Sequence, residues 1–205
     1  MIAWSVDAAN RSRYLDAVAV SSDDEDILAA AAAAGANTLV RRPGHLATDT
    51  APVQGALLHA AESIDRPFDY LVLLPATSPL RQSIDIDACI EACHPAAPAA
   101  VTVTEMQKPA EWFCRLDPDG RLVPLIDGDG LRTRRQDLSP AYQPNGAVYV
   151  TQSQWFRVHK TFYDNATVGS IMPSVRSVDI DTEMDLMMAR WMIESGLATT
   201  EAPIS

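Results

Sequence analysis

Cationic side chains and long apolar runs are both scarce in this sequence. The chain of 205 residues has 16 Lys and Arg against 27 Asp and Glu, which gives a formal net charge of −11. A surface so short of cations cannot neutralise many phosphates, and this argues against general binding of DNA or RNA. No apolar run reaches the length that a bilayer requires, so we predict no membrane-spanning segment.

Cysteine is also scarce, and the short motifs of several enzyme classes are missing. Three cysteines, an odd number, do not make a disulfide framework. The first seven residues have neither a basic start nor a long apolar stretch, so we do not interpret them as a signal peptide and expect a cytoplasmic protein. The Gly-x-Gly-x-x-Gly, P-loop and Gly-x-Ser-x-Gly patterns are absent. Cys89, Cys93 and His94 lack a further zinc ligand nearby, so we interpret them as packed helix residues.

The first half of the chain alternates between strand patterns and helix patterns. Strands are predicted at 17–20, 38–40, 70–74 and 99–104, with helices at 22–34, 52–64 and 83–93 between them. This order predicts a single α/β domain over residues 1–205, with a parallel sheet in three layers and the strand 70–74 at its centre. Ser22 and Glu25 form a capping-box pattern at the start of the first helix.

After residue 108 the alternation gives way to a hairpin pattern. The sequence Asp117-Pro118-Asp119-Gly120 is typical of a turn, and apolar stretches flank it at 112–116 and 121–125. We therefore treat residues 108–142 as an inserted element. Further strands are expected at 146–150 and 178–181, and a last helix at 183–193.

Two carboxylates with strand spacing are the sharpest chemical signal. Asp179 and Asp181 alternate with Val178 and Ile180, and residues two apart on a strand point to the same face. A pair of carboxylates at the carboxyl end of a strand, where α/β sheets place their ligands, can hold Mg²⁺. The alternative is that Asp181 caps the following helix while Asp179 is solvated.

Clustered arginines and an Asn-Gly pair are weaker signals. Arginines at 132, 134 and 135 lie in a Gly-rich stretch of an acidic chain, which suggests local recognition of a carboxylate or phosphate. Arg42, preceding Pro43, is a similar but weaker signal. The alternative for the cluster is a solvated loop that pairs with nearby aspartates. Asn145-Gly146 offers either a buried amide that reads a ligand or a plain turn.

These pieces occur together, in this order, in one family. The sequence resembles the acylneuraminate cytidylyltransferases over nearly its whole length. The matching segments are Val20–Glu25, Arg42–Thr50, Leu73–Arg81, Arg135–Leu138, Asn145–Tyr149 and, most specifically, Ser177–Glu183. The resemblance implies a Rossmann-like nucleotidyltransferase sheet of the GT-A type. It also implies a reaction that joins CTP to the anomeric hydroxyl of a nine-carbon α-keto sugar acid and releases pyrophosphate.

The resemblance also implies roles for particular residues. Asp179 and Asp181 match the positions that bind Mg²⁺ and support catalysis. Arg42, Thr77 and Ser78 match nucleotide-binding positions. The sugar site is matched by Arg135, Gln136, Asn145 and Tyr149. The hairpin within 108–142 resembles a dimerisation element that reaches into the partner's site, so we expect a homodimer.

The sequence departs from the family pattern in two places. The family begins with a strand and a loop rich in glycine, lysine and arginine that wraps the triphosphate, whereas Met1 here aligns with the helix that follows this loop. We therefore expect a sheet without one central strand, and little or no activity from the 205-residue chain. Pro75-Ala76 and Gln143 replace residues common in sialic-acid enzymes, which favours a legionaminic- or pseudaminic-type acid. Two alternatives stay open: a related sugar nucleotidyltransferase (another base, or an eight-carbon acid), and a non-catalytic binding protein.

Overall fold

A computed structural model describes residues 1–64 and 66–199, and it contains the predicted alternation of helices and strands. The helices are α1 (Ile2–Asn10), α2 (Glu25–Ala33), α3 (Val53–Glu62), α4 (Ser83–Ala92), α5 (Ser153–His159) and α6 (Glu183–Glu194). The strands are β1 (Ala19–Ser22), β2 (Thr38–Arg41), β3 (Tyr70–Leu73), β4 (Ala99–Glu105), β5 (Cys114–Leu116), β6 (Leu122–Pro124), β7 (Tyr142–Gln152) and β8 (Val168–Ile171). Helix α5 and strand β8 are additions to the sequence prediction.

The sheet is mixed, so the prediction of one all-parallel sheet was wrong. Strands β1 and β2 form a parallel pair, and the main sheet has the order β3-β7-β4-β8. Strand β7 is antiparallel to both β3 and β4, whereas β4 and β8 are parallel. The chain reaches β7 from β4 through the excursion 106–141 rather than through a crossover helix, and such a return allows an antiparallel neighbour. Strand β3 lies at the edge of the main sheet and not at its centre.

Helices on both faces join the two sheets into one layered structure. In α1, Val6 packs against Val20 and Leu28, while Ala8 packs into the cluster that contains Val148. On the other face, α3 places Leu57 and Leu58 in the cluster of Val101 and Tyr149. Alternate residues of β7 therefore face different helices, as strand geometry requires. The predicted three-layer α/β architecture is confirmed in this form.

Two local predictions were wrong in detail. Residues 178–181 are irregular rather than a strand, because Ile180 donates its N–H to the carbonyl of Thr77 in a loop instead of joining a ladder. Helix α2 is capped by Asp24, whose carboxylate accepts from the N–H groups of Asp26 and Ile27, and not by Ser22.

Among the described residues, no helix combines the length and the apolar character needed to cross a bilayer.

Candidate functional site

An irregularity in β7 shapes the centre of the candidate site. The pairing of β4 with β7 shifts register between Val101 and Val103. At this irregularity the side chain of Thr102 bonds to β7 in place of a backbone group. Its hydroxyl accepts from the N–H of Val148 (2.9 Å) and donates to Asn145 Oδ1 (2.7 Å). Gly146 adopts φ +75°, a conformation that favours glycine. The bulge brings the backbone of Gly146 close to the segment that carries Asp179.

The carboxylate of Asp179 fills the space that Gly146 leaves. A Cβ added at Gly146 would lie 2.8 Å from Asp179 Oδ2 and 3.8 Å from Ser78 Oγ. Asp179 Oδ1 and Ser78 Oγ are both buried without a hydrogen-bond partner among the described residues. Leaving a carboxylate oxygen buried and unpaired is costly, so such an atom points to a partner that binds there.

The donor set fits Mg²⁺ better than a metal that needs an all-protein cage. Within residues 1–64 and 66–199, no group of three or more His, Cys, Asp or Glu side chains could hold a metal. Asp181 is exposed, and its N–H donates to Asp185 Oδ2 (3.2 Å). The helix cap is Thr182 rather than Asp181, so the alternative in which Asp181 caps the helix and Asp179 is solvated was wrong. Because 178–181 is not a strand, the prediction that Asp179 and Asp181 point to one face no longer follows from strand geometry. Mg²⁺ commonly uses only one or two carboxylates together with water and phosphate oxygens, so a site with the single carboxylate of Asp179 remains compatible with this metal.

Tyr149 lies within electrostatic range of the same carboxylate. Burial is the main cause that raises the pKa of Tyr149 to about 12, and the neighbouring Tyr163 and the negative charge of Asp179 raise it further. Its ring packs against Phe162, with a centroid distance of 5.4 Å. The phenol therefore stays neutral at physiological pH and keeps its proton, and it forms a hydrogen bond with Tyr163.

The loop 75–81 is fastened to the site by contacts that the sequence did not reveal. Arg81 is buried, and it donates to the carbonyls of Pro75 (3.1 Å) and Ala147 (2.6 Å) and to Ser5 Oγ (2.6 Å). Burial lowers the pKa of Arg81 to about 10, so the guanidinium remains charged. No local pattern marks a single arginine as buried, since its partners come from distant parts of the chain.

The structure brings some predicted site residues together. The Thr77 carbonyl accepts from the Ile180 N–H (2.8 Å), which places the loop 75–81 beside the segment of Asp179. Asn145 is buried, and its amide is engaged internally: Oδ1 accepts from Thr102, and Nδ2 donates to Ser177 Oγ (2.8 Å). Five predicted residues therefore gather at the bulge, namely Thr77, Ser78, Asn145, Tyr149 and Asp179.

Other predicted residues lie apart from this group. Arg42 donates to the carbonyl and to Oγ of Ser21, at the carboxyl end of β1. Arg135 and Gln136 are exposed in a short helical turn, and Arg135 lines a depression of about 220 Å³ beside Glu105. In the part of the chain that the structure describes, no hydrogen bond or ion pair joins Arg42, Arg135 or Gln136 to Asp179.

The neighbouring arginines match the alternative of a self-paired loop. Arg134 pairs with Asp137 (3.3 Å) and Arg132 with Asp129 (3.9 Å). All four side chains are largely exposed, so these pairs contribute little to stability. They leave the guanidinium groups accessible on the excursion.

Comparison with known proteins identifies the fold and the family of this chain. The fold is similar to that of CMP:2-keto-3-deoxy-manno-octonic acid synthetase complexed with CTP, with a TM-score of 0.69 and 12% identity, covering 95% of this chain and 88% of that one. The family model described as cytidylyltransferase matches residues 1–183. The chain therefore belongs to the cytidylyltransferase family.

The chain is also similar in sequence to three relatives whose names specify the sugar acid. The chain is 29% identical over 198 residues to CMP-N,N'-diacetyllegionaminic acid synthase of Legionella pneumophila, covering 95% of this chain and 85% of the relative. It is 30% identical over 195 residues to the pseudaminic acid cytidylyltransferase of Campylobacter jejuni, covering 93% and 83%. It is 31% identical over 191 residues to the N-acylneuraminate cytidylyltransferase of Escherichia coli, covering 92% of this chain but only 45% of that relative.

Proposed function

We propose that the protein transfers CMP from CTP to the anomeric hydroxyl of a nonulosonic acid and releases pyrophosphate. The observation that carries this proposal is the Asp179 carboxylate, whose Oδ2 faces Gly146 and whose buried Oδ1 has no hydrogen-bond partner among the described residues. The hydroxyl of Ser78, which also faces Gly146, is likewise buried without a partner there. Membership of the cytidylyltransferase family supports CTP as the nucleotide substrate, and the names of the relatives support a nonulosonic acid as the acceptor.

The chemistry explains why a carboxylate is needed at this place. A bond forms between the anomeric oxygen and the α-phosphorus, the bond from that phosphorus to pyrophosphate breaks, and the hydroxyl gives up its proton. Negative charge develops on the phosphoryl oxygens and on the leaving group, so it must be neutralised in advance. Asp179, with Asp181 as the predicted second carboxylate, would hold Mg²⁺, which supplies that neutralisation.

The remaining residues have proposed binding roles. Thr77 and Ser78 lie beside the Asp179 segment, and we propose that they contact the nucleotide, as does Arg42. Asn145 and Tyr149 are proposed on the sugar side, where the neutral Tyr149 phenol would exchange its hydrogen bond with Tyr163 for one to a hydroxyl or carboxylate of the sugar. Arg135 and Gln136, on the exposed excursion, are proposed to reach a sugar site.

The acceptor is proposed to be a legionaminic- or pseudaminic-type acid. Proline and alanine at 75 and 76 offer no side-chain amide to an acyl group, and two of the named relatives act in legionaminic and pseudaminic acid activation by their names. This choice affects only the sugar pocket. The CTP and metal chemistry stays the same.

A transfer assay with a panel of substrates tests the proposal. The purified chain is incubated with Mg²⁺, each of the four ribonucleoside triphosphates, and legionaminic, pseudaminic, N-acetylneuraminic or eight-carbon acid, and mass spectrometry detects the products. We expect a CMP-sugar from CTP and a nine-carbon acid. Transfer only to the eight-carbon acid, or from another nucleotide, would show that the protein is a related sugar nucleotidyltransferase with a different substrate. The absence of any nucleotide-sugar would support a binding protein instead.

We also propose that the 205-residue chain works slowly. Arg81 is buried and donates to backbone carbonyls, so it is not free to contact a triphosphate, and Arg42 would have to give up its hydrogen bonds to Ser21 to do so. Loss of one preorganised electrostatic contact costs about 10²–10³-fold in rate. We expect a turnover at least ~100-fold below that of the legionaminic relative assayed in parallel. Equal turnover would overturn this part of the proposal without affecting the reaction assigned.

The protein is proposed to act as a homodimer in the cytoplasm, where CTP is made. Strands β5 and β6 form a separate two-stranded sheet, and such a hairpin alone is marginally stable in water. Its large apolar side chains are exposed, which favours burial against a second copy. They include Phe113, Leu116, Leu122, Val123, Leu125 and Ile126.

A further inference from the structure

Asp179 lies on a segment that has little regular structure of its own. Residues 174–176 form a single helical turn, and residues 177–181 are irregular until α6 begins at Glu183. Backbone ladders therefore do not fix the position of the carboxylate. Side-chain contacts from neighbouring elements must do so, and one of them is an ion pair.

Arg176 and Asp85 form a two-point ion pair that is largely withdrawn from solvent. Arg176 Nε donates to Asp85 Oδ2 (2.8 Å), and Nη2 donates to Asp85 Oδ1 (2.7 Å). The side chains are 22% and 5% exposed, respectively. A parallel pair of hydrogen bonds fixes the angle of the guanidinium plane as well as its distance.

Asp85 is a rigid anchor for this pair. Its Oδ2 also accepts from the backbone N–H of Gln82 (3.0 Å) in the capping box that starts α4. Arg176 therefore ties the Asp179 segment to the end of a helix that packs on the main sheet. On the other side, Ser177 Oγ accepts from Asn145 Nδ2 and donates to the Pro173 carbonyl, both at 2.8 Å.

A contribution to folding stability does not by itself explain why a buried ion pair such as Arg176–Asp85 is present. Desolvation of two charges offsets most of their attraction, and apolar replacements of buried pairs are often neutral or stabilising. A positional role accounts better for its geometry, because Arg176 is three residues along the chain from Asp179, whose buried Oδ1 has no partner in the described part of the chain.

We infer that Arg176 is a positioning residue, which through Asp85 holds Asp179 in the geometry that binds a divalent cation. This inference rests on the proposed role of Asp179 as the metal carboxylate. Partners outside the ligand shell commonly contribute about 10–100-fold to metal affinity. We therefore expect loss of the two-point geometry to weaken cation binding by about that factor.

The test measures Mn²⁺ binding to the full chain by electron paramagnetic resonance, without nucleotide or sugar. Asp179→Asn establishes whether the bound ion depends on that carboxylate. Arg176→Lys keeps a positive charge beside Asp85, so that the carboxylate is not left unpaired, but it loses the two-point contact. We expect a dissociation constant about 10-fold weaker or more for Arg176→Lys, with the melting temperature retained.

Arg13→Lys is the matched control, because Arg13 pairs with Asp87 (2.8 Å) on the same helix α4 without touching the 173–181 segment. Mn²⁺ affinity that is unchanged in Arg176→Lys, or weakened equally in Arg13→Lys, overturns the positioning role alone. Unchanged affinity in Asp179→Asn overturns the metal role of Asp179 itself, and with it this inference.

Discussion

At the scale of single residues, Gly146 determines how closely the Asp179 carboxylate can approach β7. Two properties act together there: a positive φ of 75° and the absence of a side chain facing Asp179 Oδ2. Gly120 has a similar φ of 79°, but a Cβ added there would meet nothing within 4 Å. The two glycines therefore separate the backbone effect from the steric effect.

Gly146→Ala is expected to be more harmful than Gly120→Ala. Each substitution carries the cost of a left-handed conformation, roughly 1–3 kcal/mol, and only Gly146→Ala also displaces the Asp179 carboxylate. Urea denaturation measures the two losses of stability, and the transfer assay measures activity. Equal losses of stability, with full activity in Gly146→Ala, would show that the close approach has no role.

Tyr149 gives the site a pH dependence that can be measured. Its pKa rises from 10.0 in the unfolded chain to about 12 in the folded protein, so the folded state holds the phenol proton more tightly. The associated stabilisation is fully present below pH 10 and is lost as the pH rises through about 12. Stability above pH 10 should therefore fall more steeply in the wild type than in Tyr149→Phe.

The same tyrosine reports on the charge of Asp179. Because the negative carboxylate disfavours a tyrosinate nearby, Asp179→Asn should lower the pKa of Tyr149. A spectrophotometric titration of tyrosine ionisation follows this shift, with Tyr149→Phe identifying the step that belongs to residue 149. An unchanged step in Asp179→Asn would mean that the two groups do not interact.

At the scale of elements, the start of α2 shows how local rules compete. Ser22 and Glu25 fit a capping box, yet Asp24 takes the cap, and Ser22 instead accepts from the N–H of Asp24 (3.1 Å). Both residue types are good caps, and strand β1 extends through Ser22, which removes it from the cap position.

Asp24→Ala should therefore lower the free energy of unfolding by about 1 kcal/mol. The neighbouring Asp23 is exposed and has no cap contact among the described residues, so Asp23→Ala is the control and should change stability little. Chemical denaturation distinguishes the two variants. A larger loss in Asp23→Ala would contradict the assigned cap.

Local patterns predicted most elements but not their pairing. Helix α4 and strand β4 follow from apolar spacing, and their observed bounds lie within a residue or so of those expected. The direction of β7, the existence of β8 and the burial of Arg81 depend on partners far along the chain, which no local pattern contains. The alternation of apolar and acidic residues at 178–181 resembles a strand pattern, but the N–H of Ile180 donates to the Thr77 carbonyl instead of to a neighbouring strand.

In the candidate site, too, local sequence patterns identified some residues, and contacts between distant parts of the chain revealed the others. Asp179, Ser78 and Tyr149 belong to motifs read from the sequence, and the structure places them near one another. Thr102 and the Asp85–Arg176 pair support that cluster, but neither belongs to a motif. The sequence therefore indicated several groups proposed for the chemistry, whereas the residues that hold them in place emerged only from the fold.

At the scale of the whole molecule, the hairpin carries the proposed dimer contact. Leu116 and Leu122 are cross-strand partners in β5 and β6, and they are 69% and 67% exposed. Leu122→Asp should turn a dimer of twice 22.2 kDa into a monomer, because it places a charge in the buried contact. Light scattering coupled to size-exclusion chromatography measures the mass. Val158→Asp is the control, since Val158 on α5 is 76% exposed and lies outside the hairpin.

A wild-type chain that is already monomeric would contradict the proposed dimer. Dissociation of both variants would show instead that added charge acts generally. Dissociation of Leu122→Asp alone assigns the contact to β5 and β6.

The central claim is that the Asp179 carboxylate supports CMP transfer, and its neutral isostere tests this most directly. The rate of CMP-sugar formation is measured at saturating Mg²⁺ for the wild type, for Asp179→Asn and for the exposed control Asp23→Asn. We predict a loss of about 100-fold or more in Asp179→Asn alone, with no loss of thermal stability, because the substitution removes the charge from a carboxylate whose Oδ1 is buried without a partner among the described residues. An Asp179→Asn protein that is folded and transfers CMP at the wild-type rate would contradict it.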